Sequence, residues 1–154
     1  MFPYLITTRA EYDLAKAHGF EPLIGFERIK GETIFQLEIR LRVAIQRELF
    51  GTGHTPEENE KFYRWCWDHY PHICQETMRP LKQYSATYIS HIMTRGAHPE
   101  MAHDPRNVNI LCFEMHNRWE NGDRSSMRIY RANLLTVEQL KKEYGKINRN
   151  QTVE

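Results

Sequence analysis

Between Ser90 and Asn117 the chain reads SHIMTRGAHPEMAHDPRNVNILCFEMHN, and this run restricts the fold more than any other. Residues 85–93, with Tyr88 and Ile89, have β-strand character. Gly96, Pro99 and Pro105 break residues 94–106 into a loop. Residues 108–112 are apolar and short, as a second strand would be, and Asn107 opens them. Residues 114–121 follow as a helix, with Gly122 placed to close it at the C′ position. Two short strands and a helix within a longer, more helical chain give an expected fold class of α+β.

The flanking segments supply the helices. Residues 9–18, RAEYDLAKAH, predict a short helix stopped by Gly19, and residues 22–31 a connector. Residues 34–50 carry two periodicities. Phe35, Leu37, Ile39, Leu41 and Val43 alternate as in a strand, while Ile34, Leu37, Leu41 and Ile45 fall at helical spacing. The length of the segment favours one helix, ending at Gly51. Thr55-Pro56-Glu57-Glu58 is a strong helix start: a cap residue, a proline in the first turn, then acidic side chains favoured by the helix dipole. That helix should run to about Tyr70 and stop at Pro71. Its Phe62, Tyr63, Trp65, Cys66 and Tyr70 are expected to pack in a core rather than stack on bases. Residues 136–145 predict a last helix, capped by Thr136 and ended by Gly145, with a fraying polar tail beyond.

The chain has 154 residues, which is the size of one domain with a sizeable core. Within it we expect a helical N-terminal portion over 1–73, a central module over 74–124, and a C-terminal helix and tail over 125–154. A net charge of +1 excludes the strongly basic signature of an avid nucleic-acid binder, so any DNA contact must come from local clusters. The three cysteines, Cys66, Cys74 and Cys112, are too few for a disulfide framework. The opening residues lack a secretory signal pattern, and no stretch approaches the roughly 20 apolar residues of a membrane span. A cytoplasmic protein with no membrane contact is expected.

His91 stands late on the first strand, Asn107 at the start of the second, and His116 at the start of the helix, four residues after Cys112. A neutral imidazole can take a proton from water near pH 7. A divalent cation held by a second imidazole would stabilise charge on a phosphodiester. In this order and spacing the residues resemble the HNH endonucleases, whose fold is called ββα-metal, over about a third of the chain. The resemblance implies that His91 is the general base, that Asn107 supports the loop and orients His91, and that His116 binds the metal. It implies a divalent cation as cofactor (Mg²⁺, Mn²⁺, Ni²⁺ or Zn²⁺) and DNA as substrate. Small stand-alone proteins of this kind occur in phages and bacterial genomes, which implies phage packaging or other DNA-processing proteins as partners.

The chain departs from the family pattern in two places. Ser90 stands where an acidic or imidazole ligand is usual, and a serine hydroxyl acts on a hard cation more plausibly through a water. Glu120, one turn after His116, offers a compensating oxygen ligand where the colicin-like branch has a second histidine. The paired CxxC motifs of many members survive only as Cys74-x-x-Thr77 and Cys112-x-x-Met115, so a structural zinc is not expected, even with His72 nearby. Cys74 and Cys112 are expected in the core instead, with Ile89, Ile110, Leu111 and Trp119. His54, His69 and His72 lie near helix ends of the N-terminal half. His98 and His103, with Asp104, could approach phosphate or metal, with polar loop surface as the default. Arg95, Arg118, Arg124, Arg128 and Arg131 could contact phosphates, with a solvated face as the default. The expected function is metal-dependent DNA cleavage. The alternative is a catalytically weak or inert module of the same fold that binds nucleic acid or a protein partner.

Overall fold

The computed structural model describes Thr33, Val43 and residues 46–151. The helix expected over 9–18 lies outside these residues, as does most of 34–50, of which Val43 and residues 46–50 are helical. The chain divides into two compact units, Met1–Thr52 with Glu143–Glu154, and Gly53–Lys142. In the first unit, Gly51 ends the 46–50 helix: it adopts φ 85°, where glycine is favoured, and its N–H bonds the Arg47 carbonyl at 2.8 Å. Tyr144 there donates its hydroxyl to Gln46 Oε1 at 3.4 Å.

All the candidate site residues lie in the second unit. Helix α1 is Pro56–His69, and Thr55 caps it by accepting from the Glu58 N–H. The Glu58 carboxylate reaches back to the Gly53 N–H at 3.1 Å, so both ends of this cap are satisfied. Asn59, Phe62, Cys66 and Trp67 form its buried face. Trp65 is stacked on His69, and Trp67 on His72, at ring separations of 3.8 and 3.7 Å. Of the residues expected in a core, Phe62 and Cys66 are buried, whereas Tyr63, Trp65 and Tyr70 are only half-buried.

Strand β1 is Ile89–His91 and β2 is Val108–Ile110. They pair antiparallel, with Ile89 opposite Ile110, Ser90 opposite Asn109 and His91 opposite Val108. The first strand is shorter than expected. Residues Ala86–Tyr88 instead form a 3₁₀ turn, because the Ser85 side chain accepts from the Thr87 N–H. The loop between the strands holds two further 3₁₀ turns, Pro99–Met101 and Pro105–Asn107, so Asn107 ends a turn rather than opening the strand. Two short strands are marginal alone. Here α1 packs on β1, while Ile89 and Ile110 are both buried.

Helix α2 is Phe113–Asn121, with Cys112 at its N-cap. Gly122 does follow it, but in extended rather than left-handed conformation. The reason for glycine is space: a Cβ there would lie 3.0 Å from the Arg118 carbonyl oxygen. Helix α3 is Tyr130–Gln151, so the expected helix over 136–145 is the middle of a longer one. Thr136 is not its cap; its hydroxyl donates to the Ala132 carbonyl one turn back. The helix start is held from 52 and 53 positions away, by the Glu76 carboxylate accepting from the N–H groups of Arg128 and Ile129. Gly145 and the polar residues after it continue as helix to Gln151.

Cys74, Ile92, Leu111, Trp119, Met127 and Ile129 form one buried apolar cluster under α2 and the start of α3. Its size matters, since each large side chain withdrawn from water contributes roughly 1.5–3 kcal/mol. Asn109 adds a polar pin across the same layer, donating to Gln75 and accepting from Asn133 at 2.8 and 2.7 Å. The architecture is therefore α+β, as expected. No helix among the described residues is long and apolar enough to cross a membrane.

Candidate active site

Side chains alternate across a strand, so His91 and Ser90 leave β1 on opposite sides. His91 turns toward α1, where the Phe62 and Tyr63 rings each lie 6.1 Å from its own. Its Nε2–H donates to the Ala102 carbonyl at 2.8 Å. That bond fixes the tautomer, because a carbonyl can only accept; the lone pair is left on Nδ1. Burial holds the ring below the usual histidine pKa, against the raising effect of the Ala102 bond. Arg95 and His116 push it further down, and Glu120 pushes it up. His91, His116, Glu120 and Arg95 thus share one electrostatic neighbourhood.

Ser90 turns to the side of Ile92 and α2. It is fully buried, and its Oγ has no hydrogen-bond partner among the described residues. On α2, His116 Nε2 lies 3.3 Å from Glu120 Oε1, while His116 Nδ1 is buried without a partner among the described residues. A carboxylate on one ring nitrogen leaves the other as a lone-pair donor, the arrangement that orients imidazoles toward metals. An imidazole nitrogen without a partner is a donor atom of the kind that binds divalent cations. Among the described residues, no three His, Cys, Asp or Glu side chains converge as a metal-binding group.

Asn107 stands behind this site rather than in it. It is fully buried and accepts from the Met93 N–H at 2.8 Å. It also donates to the Met93 and Met101 carbonyls at 3.0 and 3.3 Å. It therefore ties the end of β1 to the loop that carries Ala102, the partner of His91. This is a positioning role.

Two residues expected at the surface are structural. His103 is buried and donates from Nε2 to Asn59 Oδ1 at 2.8 Å, and the Asn59 amide donates to the His54 carbonyl. Asp104 is fully buried, pairs with the Arg106 guanidinium at 2.8 Å and accepts from the Arg106 N–H at 2.9 Å. The loop turns inward at His103 because Asn59 on α1 supplies its partner, whereas Asp104 is held by Arg106, two residues on. His98, by contrast, is partly exposed beside Glu100. Of the arginines, Arg124 stacks on Trp119, Arg118 bonds Ser126 and the Asp123 carbonyl, and Arg95 lies exposed over the Tyr63 ring, 6.0 Å from its centre. A cleft of about 520 Å³ between α2 and α3 borders Ile92, Trp119 and Lys141, but His91, His116 and Glu120 are not part of it.

The burial of His103 makes a pH prediction. Burial first, then the charge of His54, holds its pKa at about 4. An unfolded histidine protonates near 6.5. The unfolded chain therefore binds the extra proton between pH 6.5 and about 4 while the folded chain does not, so stability is lost as pH is lowered through that window. The urea midpoint should drop between pH 7 and 4.5, and the drop should be smaller in His103→Gln.

Cys74 is buried as expected while Cys112 is only half-buried, and their Sγ atoms are 3.6 Å apart. His72 is not with them. Its Nε2 donates to the Trp67 carbonyl and its ring is stacked on Trp67. Two thiols do not close a tetrahedral zinc site. Protein purified without added metal is expected to hold no stoichiometric zinc and to melt unchanged after chelation; elemental analysis and a thermal scan check both.

Comparison with known proteins leaves the site to stand on its own geometry: no family model, no curated protein and no solved structure matches the chain.

Proposed function

We propose that the protein is a metal-dependent endonuclease that hydrolyses DNA phosphodiester bonds with His91 as general base. The observation that carries this is the His91–Ala102 hydrogen bond, which keeps a neutral imidazole in one tautomer with its Nδ1 lone pair available. The order strand, loop, strand, helix with His91, Asn107 and His116 on it supports the resemblance to the HNH endonucleases. In this reading Nδ1 takes the proton of the attacking water. Arg95, exposed and near His91, offers the cation that meets the substrate phosphate. A divalent cation held by His116 Nδ1, with Glu120 orienting that ring from Nε2 and Ser90 acting through a water, would supply charge stabilisation at the phosphodiester.

The same ligand set favours a second reading, a weak or inert module that binds nucleic acid or a protein partner, because Ser90 replaces a strong ligand. Plasmid cleavage across Mg²⁺, Mn²⁺, Ni²⁺ and EDTA separates the two. Nicking that requires metal supports the nuclease; DNA retention without nicking in any metal sinks it. Two variants then resolve the ligands. His116→Ala should lose activity at every metal concentration. Glu120→Gln should need more metal yet recover part of its rate at high Mn²⁺. An unchanged metal requirement in Glu120→Gln would remove that residue from the site.

A further inference from the structure

We propose that Cys74 and Cys112 form an oxidative modification site, closing to an intramolecular disulfide when an oxidant of the peroxide class reaches them. This stands apart from the nuclease reading. The two sulfurs are already in van der Waals contact at 3.6 Å, and both thiols are free. Cys112 is the N-cap of α2, yet its side chain makes no capping hydrogen bond, so no such bond opposes rotation of its sulfur toward Cys74. A disulfide bond is about 2.05 Å long, so the sulfurs must close by roughly 1.6 Å.

The two positions differ in a useful way. Cys112 is only half-buried and is the sulfur an oxidant can reach, whereas Cys74 is fully buried. Around Cys74 the N–H of Cys112, the Thr77 hydroxyl and the N–H groups of Thr77 and Glu76 outweigh burial and favour its thiolate. Cys66, buried on α1 and pushed up by burial and then by Asp104, is the unreactive comparison.

With hydrogen peroxide the chemistry balances. Burial and the neighbouring Cys74 push the Cys112 thiol up, so it reacts as it gives up its proton: the Cys112 sulfur attacks one peroxide oxygen, the O–O bond breaks, and the leaving oxygen departs as water with the thiol proton. The resulting sulfenic acid is attacked at sulfur by the Cys74 thiolate; the S–S bond forms, the S–O bond breaks, and a second water leaves with the second thiol proton. Two thiols lose two electrons and one peroxide becomes two waters. The bond would join residues 38 positions apart and enclose β1, the loop and β2, including His91 and Asn107.

The test is to treat the reduced, full-length protein with equimolar hydrogen peroxide in EDTA. Thiols titrated after denaturation should fall from three to one, leaving Cys66. The intact mass should fall by about 2 Da, and a digest should contain a peptide linking Cys74 to Cys112. Tm should rise by roughly 10 °C, reversibly with dithiothreitol, since closing a long loop constrains the unfolded chain. Cys66→Ser should behave as the parent does, with two thiols falling to none. Three persisting thiols, an oxygen adduct on Cys112 with Cys74 still free, or a link between chains overturns the proposal. The parent's mass and digest decide the matter even if Cys74→Ser fails to fold.

Discussion

Replacing His91 by alanine is expected to lower metal-dependent plasmid cleavage by about 10²–10⁴-fold, the usual effect of losing a general base. The ring acts on the chemical step, so DNA binding should change little. Because His91 is buried, the loss of fold must be measured separately. Alanine leaves the Ala102 carbonyl without its donor at a cost of about 1–3 kcal/mol, which a urea midpoint detects. A variant that is folded, binds DNA and does not cut identifies the base. The pH profile gives an independent readout. Burial lowers the His91 pKa, so the neutral, proton-accepting form persists to lower pH than for a free histidine. Cleavage should therefore stay level as pH falls through 6.5 and decline only below it. Parental nicking by the alanine variant would place His91 among the ordinary core histidines.

Local signals in the sequence were enough for several parts of this arrangement. Thr55-Pro56-Glu57-Glu58 marks the start of α1 because capping is settled within four residues, and the structure begins the helix at Pro56. Ile89, Ile110, Leu111 and Trp119 are buried as their apolar character requires. What could not be read from short windows depends on partners far along the chain. The start of α3 was hidden because Thr136 resembles a cap, while the groups that hold the true start are the two Glu76 oxygens. His103 looked like loop surface because Asn59, which accepts its hydrogen bond, is 44 positions away. Gly122 was expected for its backbone freedom and is needed for its lack of a side chain against Arg118. For the candidate site the division is similar. His91 lies on the strand and His116 on the helix expected for them, while Asn107 ends a turn; the bond that gives His91 its tautomer goes to a backbone carbonyl, and a carbonyl leaves no trace in residue identity.

Asn107→Ala is expected to be the most destabilising single change among the site residues, by about 3 kcal/mol. Three hydrogen bonds end on this amide, and all are buried. Alanine removes them together and leaves one N–H and two carbonyls to find other partners. An unsatisfied buried polar group costs about 1–3 kcal/mol, and partial relaxation or entering water keeps the sum of the three at the low end of their combined range. Asn107→Asp divides the effect by atom: its carboxylate can still accept from the Met93 N–H but faces the Met93 and Met101 carbonyls with no proton to donate. At neutral pH it should be at least as destabilising as alanine, because a buried charge is added to two lost donors, and acid should recover part of the loss. The kinetic consequence separates support from chemistry. Asn107 holds the loop that holds His91, so cleavage by Asn107→Ala should recover partially when the fold is stabilised by low temperature or an excluded osmolyte. His91→Ala should not respond to either. If Asn107→Ala matches the parent in urea midpoint, the loop is held by other contacts and the positioning role assigned to Asn107 fails.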